Sequence, residues 1–322
     1  MGLLGPTGVE VGDFVCGAGS IGGFGSSPAL RGQGMTAAEG WRQLDAAAAR
    51  GIRVIDTADA YGGGESERVV GDWLRAQVAP ETGPVGDRDV LVATKVGNVP
   101  DRGGVDLSAA HIRRQIRTSV ERLGRVDLYL THQPDPATPP EETLTALAEL
   151  VAAGTIRAYG CCNVDRPELE RLLAAADRAG LPRPGWLQNS FNLIDRRDER
   201  DLLPLLVAEG LGYTPYSPLA GGVLSDRYLD GARPAPGSRA AAGDLGYALT
   251  ADVPARVREL ARHAAAHGVS TAGLALAWLR THPRVTAAIV APRTGDQWRA
   301  VDEALALDLD DRTAEVVGAL FS

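Results

Sequence analysis

Ile52-Arg53-Val54-Ile55-Asp56-Thr57-Ala58-Asp59-Ala60-Tyr61-Gly62 is the stretch on which the fold of this chain turns. A short β-rich run passes directly into small and polar residues. A buried strand therefore ends here and delivers an acid, Asp56, and a phenol, Tyr61, at its C-terminal end. Two further runs end the same way, with Lys95 after Val90-Leu91-Val92-Ala93-Thr94 and His132 after Val126-Asp127-Leu128-Tyr129-Leu130-Thr131. An acid, a phenol, an amine and an imidazole, each at the end of a parallel strand, form a candidate proton-transfer site.

Working outward, similar runs recur along the chain: Phe14-Val15-Cys16, Val54-Ile55, Val90 to Thr94, Leu128 to Thr131, Ile156 to Cys161, Trp186-Leu187-Gln188, Tyr213 to Tyr216 and Val285 to Ala291. Between them lie segments with apolar residues at helical spacing, such as Trp41, Leu44, Ala47 and Ala48, or Leu144, Leu147, Leu150 and Val151. Thr36 and Ser108 precede such segments as capping residues. Strands alternating with helices argue for a parallel sheet covered on both faces, and eight repeats argue for α/β architecture of the (β/α)8 TIM-barrel type. No linker divides the chain, so residues 1–322 are expected to form a single domain. Residues 217–251 break the rhythm with Gly221-Gly222, Gly231, Pro234, Pro236-Gly237 and Gly243. So long a loop after the seventh strand is expected to act as a lid over the active face.

A net charge of −8, no basic cluster and 5% aromatic residues leave no electrostatic footprint for nucleic acid or an anionic membrane. A small-molecule substrate is the expected partner. No segment approaches the roughly 20 apolar residues of a membrane span, and the N-terminus lacks a secretory pattern, so the expected location is cytoplasmic. Cys16, Cys161 and Cys162 have neither a disulfide framework nor metal-ligand spacing, and no metal is expected. No feature separates a monomer from a homo-oligomer.

The four strand-end residues make chemical sense together. A phenol near pKa 10 is a poor acid at neutral pH, and an ammonium at Lys95 is expected to lower it. A buried ammonium needs a counter-charge, which Asp56 supplies. His132 can orient a substrate oxygen. Tyr61 then serves as general acid for carbonyl reduction, or as base for alcohol oxidation, and the hydride must come from a nicotinamide cofactor. Asp59 is read as structural or solvated.

With these residues in this order the chain resembles the aldo-keto reductases, whose tetrad is Asp, Tyr, Lys and His, and within them the branch of the potassium-channel β-subunits. The resemblance covers nearly the whole sequence. Leu4-Gly5-Pro6-Thr7-Gly8 is similar to the family's N-terminal hairpin, and Tyr61-Gly62-Gly63-Gly64-Glu65-Ser66-Glu67 with Gly71 matches its tyrosine-glycine-serine-glutamate pattern. Asp127-Leu128-Tyr129-Leu130-Thr131-His132 is close to its fourth strand. The resemblance implies a cofactor track. Gly19, Ser20 and Ile21 would lie near the nicotinamide, Asn163 and Gln188 would bond its carboxamide, and Tyr216 would stack on the ring. Ser217, Leu219, Gly221 and Arg227 would hold the phosphates, and Arg293, Thr294 and Gln297 the adenosine end. Arg227 and Arg293 offer guanidinium forks for a 2′-phosphate, so NADPH is expected over NADH.

Several positions depart from the family pattern. Gly160-Cys161-Cys162-Asn163 has a thiol, Cys162, where a carboxamide-binding serine is usual, and a thiol bonds more weakly. Phe191 replaces a tyrosine, Ala291 a glycine and Val301 an adenine-contacting asparagine, while Gln133 follows His132 where tryptophan or arginine is common. Two other readings of the resemblance stay open: a nucleotide-binding regulatory subunit, and a specialised enzyme working oxidatively or on an imine.

Two signals are set aside. Gly17-Ala18-Gly19-Ser20-Ile21-Gly22 matches the Rossmann dinucleotide fingerprint, but Gly23, Gly25, Pro28, Gly32 and Gly34 follow it, so no helix opens at the third glycine. His263 and His267 share a helix face without a third ligand, which fits a solvated surface.

Overall fold

The computed structural model describes residues 2–77, 90–229 and 251–321. A short antiparallel hairpin, β1 (Gly2–Leu3) and β2 (Glu10–Val11), leads into β3 (Phe14–Gly17), β4 (Val54–Asp56), β5 (Leu91–Val96), β6 (Leu128–Thr131), β7 (Ala158–Cys162), β8 (Trp186–Gln188), β9 (Gly212–Tyr213) and β10 (Ala288–Val290). These last eight strands are parallel and lie in the order β10-β3-β4-β5-β6-β7-β8-β9. The ends of the sheet meet: the Thr286 N–H donates to the Tyr213 carbonyl and the Ile289 N–H to the Pro215 carbonyl, each at 2.8 Å. The result is a (β/α)8 TIM barrel entered through an N-terminal hairpin.

Helices α1 (Ala37–Ala48), α2 (Glu65–Gln77), α3 (Ala109–Leu123), α4 (Pro140–Ala152), α5 (Arg166–Ala179) and α6 (Arg197–Ala208) each follow one of the strands β3 to β8. Two helices follow each of the last two strands: α7 (Val253–Ala266) and α8 (Thr271–Thr281), then α9 (Gly295–Ala306) and α10 (Asp311–Ala319). Thr36 caps α1 in a reciprocal box with Glu39, and Ser108 accepts from the His111 N–H at the start of α3. On α1 the buried face runs through Gly40, Gln43, Leu44 and Ala47, while Trp41, at helical spacing with Leu44, is exposed.

The expected seventh strand shrinks from 213–216 to Gly212–Tyr213, although the Thr214 and Tyr216 N–H groups still donate to the Leu187 and Asn189 carbonyls. Beyond it, Tyr216 pairs again with Ser190 as an isolated bridge. Of the expected lid, residues 230–250 lie outside the described residues. The preceding part forms two 3₁₀ turns, Ala220–Gly222 and Asp226–Tyr228. At the Gly17–Gly22 motif the chain turns back, with Ile21 bridged to Met35, and the next helix opens only at Ala37.

Strand alternation decides what the barrel encloses. Val54, Ala93, Leu128, Leu130, Ala158, Cys162, Trp186 and Ile289 fill the interior with Leu4, Val9 and Val11 of the hairpin region. The intervening Ile55, Val92, Tyr129, Tyr159, Cys161 and Leu187 belong to the larger core shared with the helices. At the C-terminal rim the same alternation turns Asp56, Lys95 and Gln188 inward. No described helix is long and apolar enough to cross a membrane.

Candidate active site

The hairpin stops the N-terminal end of the barrel, and the C-terminal end carries the ionisable groups. Asp56 closes β4 at 4% exposure and Lys95 lies near the end of β5 at 1%. The Lys95 Nζ reaches Asp56 Oδ1 at 2.5 Å, the Thr57 carbonyl at 2.9 Å and the Tyr61 hydroxyl at 3.2 Å. It also stands 4.8 Å from the centre of the Tyr61 ring. His132 follows β6 and presents its ring edge-on to Tyr61, with centroids 5.5 Å apart. The four residues far apart in sequence are thus one cluster.

Burial disfavours the charge on Lys95, but Asp56 and Tyr61 outweigh it and the ammonium is held above its ordinary pKa. Burial and the Lys95 charge push His132 down to about 3, so the imidazole is neutral. Its Nδ1 is buried without a hydrogen-bond partner. For Tyr61 the expectation needs correction. Lys95 does pull the phenol pKa down, but burial, helped by Asp56, pushes harder, and the net direction is up. Sequence shows the neighbouring charge and conceals the desolvation.

Gln188 and Asn163 are both engaged within the protein. Gln188 Nε2 donates to Asp56 Oδ2 at 2.8 Å, and its Oε1 accepts from the Cys162 thiol at 3.7 Å. Asn163 Nδ2 donates to the His132 carbonyl at 2.7 Å and Oδ1 accepts from the Tyr216 hydroxyl at 2.8 Å. Each amide group retains a second N–H. Asn163, Ser217 and Ala220 hold positive φ of 58°, 56° and 54°. Such backbone in non-glycine residues costs energy and gathers at ligand sites, and here all three lie at the barrel mouth. Gly19 lies against the Tyr61 ring: a Cβ there would be 3.3 Å from Cε2. Ile21 is buried behind it and Ser20 is half-buried.

The outer part of the expected track is more open. Leu219 precedes the 3₁₀ turn after β9 and Gly221 lies at its centre, and Arg227 is exposed on the next turn. Thr294 caps α9 by accepting from the Gln297 N–H, and the Gln297 side chain accepts from the Arg293 N–H at 2.6 Å. The exposed Arg293 guanidinium lies over the Phe24 ring at 5.6 Å. Among the described residues no group of His, Cys, Asp or Glu is arranged to hold a metal, and His267 is exposed.

A second polar cluster, which sequence reading left aside, lies beneath the Tyr61 loop. Glu67 is fully buried and accepts from Arg122 Nη1 at 3.0 Å and from Thr94 Oγ1 at 2.7 Å. Ser66 donates to the Ala18 carbonyl at 2.9 Å and bonds Thr57 at 2.8 Å, tying the ends of β3 and β4 to the start of α2. The Ser66-Glu67 pair in the quoted motif was the available signal. Its partner Arg122, more than fifty residues away, carried none.

The model of the aldo/keto reductase family matches residues 17–320. The chain is 31% identical to versiconal hemiacetal acetate reductase of Aspergillus parasiticus, over 94% of this chain and 90% of that protein. It is 33% identical to a probable voltage-gated potassium channel subunit beta of Oryza sativa subsp. japonica, over 83% of this chain and 81% of that one. Among solved structures, a thermostable aldo-keto reductase, Tm1743, crystallised with the inhibitor epalrestat, superposes with a TM-score of 0.75 at 29% identity, covering 99% of this chain and 98% of its own. In fold, in sequence and across its length, this chain belongs to the aldo/keto reductase family.

Proposed function

We propose that residues 1–322 form one NADPH-dependent oxidoreductase domain that reduces an aldehyde or ketone, with Tyr61 as the proton donor. The observation that carries the reading is the triangle in which Lys95 Nζ stands 2.5 Å from Asp56 and 3.2 Å from the Tyr61 hydroxyl. The cofactor supplies the hydride when it is bound. The raised pKa of Tyr61 keeps its phenol protonated through the neutral range, which a donor requires. As the proton leaves, the Lys95 ammonium stabilises the phenolate, and Asp56 keeps that ammonium charged in a buried site. The neutral His132 can bond the carbonyl oxygen without competing as an acid.

The mouth suits a nicotinamide. The free N–H groups of Asn163 and Gln188 can bond a carboxamide, Tyr216 offers a flat face, and the turn after it holds positive φ at Ser217, Ala220 and Gly221, a backbone form suited to binding phosphate. Arg227 and Arg293 are exposed and suit a 2′-phosphate. The test is NADPH oxidation against a panel of aldehydes and ketones, run beside NADH and with Tyr61→Phe. Turnover should favour NADPH, and the variant should slow roughly 10²- to 10⁴-fold with cofactor affinity kept. Equal turnover in Tyr61→Phe would favour a regulatory, nucleotide-sensing role. Equal use of NADH would remove the role given to the two arginines.

A further inference from the structure

We propose that Arg122 and Asp59 are positioning residues for Tyr61: Arg122 pins the loop that carries the phenol to Glu67, and the buried Asp59 carboxyl loosens that grip when it loses its proton. The proposal rests on the reading of Tyr61 as proton donor. Asp59 lies two residues before Tyr61 and is 5% exposed. Its N–H donates to the Lys95 carbonyl at 3.3 Å, and its own carbonyl accepts from Arg122 Nη1 at 3.3 Å. The same nitrogen holds Glu67, so one guanidinium joins α3, α2 and the loop. The loop lies directly on it: a Cβ at Gly64 would come within 2.4 Å of Arg122 Nη1.

The Asp59 side chain is poorly equipped to carry a charge. Oδ2 accepts from Gln115 Nε2 at 2.8 Å, while Oδ1 is buried without a partner. Gln115 and Arg122 face it from α3, the Glu67 carboxylate from α2, and from β6 the Tyr129 phenol, whose buried hydroxyl also has no partner. From β5 the Lys95 carbonyl accepts from its backbone N–H. Burial pushes Asp59 up to about 7; Glu67 adds to this, and Gln115 and Arg122 oppose it. Once ionised, Asp59 competes with its own backbone carbonyl and with Glu67 for Arg122. The loop then loses its anchor two residues from the phenol, and the 3.2 Å contact between Tyr61 and Lys95 loses its definition. Tyr61 titrates above the ordinary phenol range, so it cannot itself produce a pH limb near neutrality.

Asp59→Asn keeps the shape and removes the titration. In the wild type, kcat for NADPH-driven carbonyl reduction should fall about fivefold or more as pH rises through about 7, with KM for NADPH unchanged. The Asn variant should hold at pH 8 the rate that the wild type shows at pH 6. A limb that persists in the variant, or a wild type without one, overturns the loosening role. Melting temperature gives a readout that needs no substrate. The folded Asp59 keeps its proton to about 7 and the unfolded one releases it near 4, so ionising it costs stability progressively as pH rises between these values. The melting temperature of Asp59→Asn should therefore pull ahead of the wild type from pH 5 to 7.5 and then hold a constant lead. A lead that does not change with pH overturns the Asp59 assignment even if no carbonyl is turned over, in which case the reading of Tyr61 falls separately. Arg122→Lys retains a cation for Glu67 but loses the second contact. It should fold and lower kcat about tenfold at unchanged NADPH affinity, and an unchanged kcat overturns the anchoring role.

Discussion

The two ends of the barrel are made by the same strands and the same alternation, yet they tolerate change very differently. At the floor, Leu4, Val9 and Val11 of the hairpin region close over Val15, Val54 and Leu128 in an apolar plug. At the mouth, two or three residues further along those strands, Asp56 and Lys95 are buried as an ion pair with every contact specified. The floor is held by burial, which is non-directional and shared by many side chains. The mouth is held by a few directional contacts, each of which leaves an uncompensated charge when removed.

Replacing Lys95 with Met should show the difference most strongly. Asp56 would stay buried without its cation, at a cost of about 3–5 kcal/mol in stability, and reduction would be almost abolished in the remaining folded protein. Chemical denaturation and single-turnover kinetics measure the two effects. A variant as stable as the wild type would mean that Gln188 alone can hold Asp56, and the mouth would be as forgiving as the floor.

Gly5→Ala tests the other end. Gly5 has φ +56°, and a Cβ there would lie 2.1 Å from the Gly185 carbonyl oxygen and 2.8 Å from the Gly212 nitrogen, both backbone atoms. Stability should fall by about 1–3 kcal/mol. Turnover per folded molecule should be unchanged, because the hairpin touches the barrel opposite the mouth. A lowered kcat with normal folding would show that the ends are mechanically linked.

Cys162→Ser is the finest probe, since Cys162 belongs to the apolar interior and also touches Gln188. If the position serves a bound carboxamide, a hydroxyl should tighten NADPH binding by about 0.5–1.5 kcal/mol. If it belongs to the packing, serine should lower the melting temperature and leave binding unimproved. Titration by cofactor fluorescence, together with a thermal melt, separates these outcomes.

What could be read from the sequence follows the same division. Short β-rich runs ending in polar or glycine residues located every barrel strand, because β-propensity is a local property, and they carried Asp56, Lys95 and His132 to one rim. Strand ends were less legible, as at β9, whose regular part stops at Tyr213. Environment was not legible at all. The direction of the Tyr61 pKa depends on burial, and Asp59, read as structural or solvated, turned out to be buried with one oxygen unpartnered. The clamp of Arg122 on Glu67 joins two helices, and neither residue's neighbours in sequence announce the other.

The barrel's seam has a consequence for its birth. Ala288 of β10 pairs with Phe14 of β3, and β10 also meets the β9 segment at Tyr213 and Pro215. Because β10 follows the other seven barrel strands in the chain, the sheet cannot close until β10 has been made. Unpaired edges are templates for association, and contacts this distant in sequence form slowly. A chain that has not yet placed β10 therefore leaves two strand edges open to association. Expression at reduced temperature, or with chaperones that shield sheet edges, should raise the soluble yield without altering the finished enzyme.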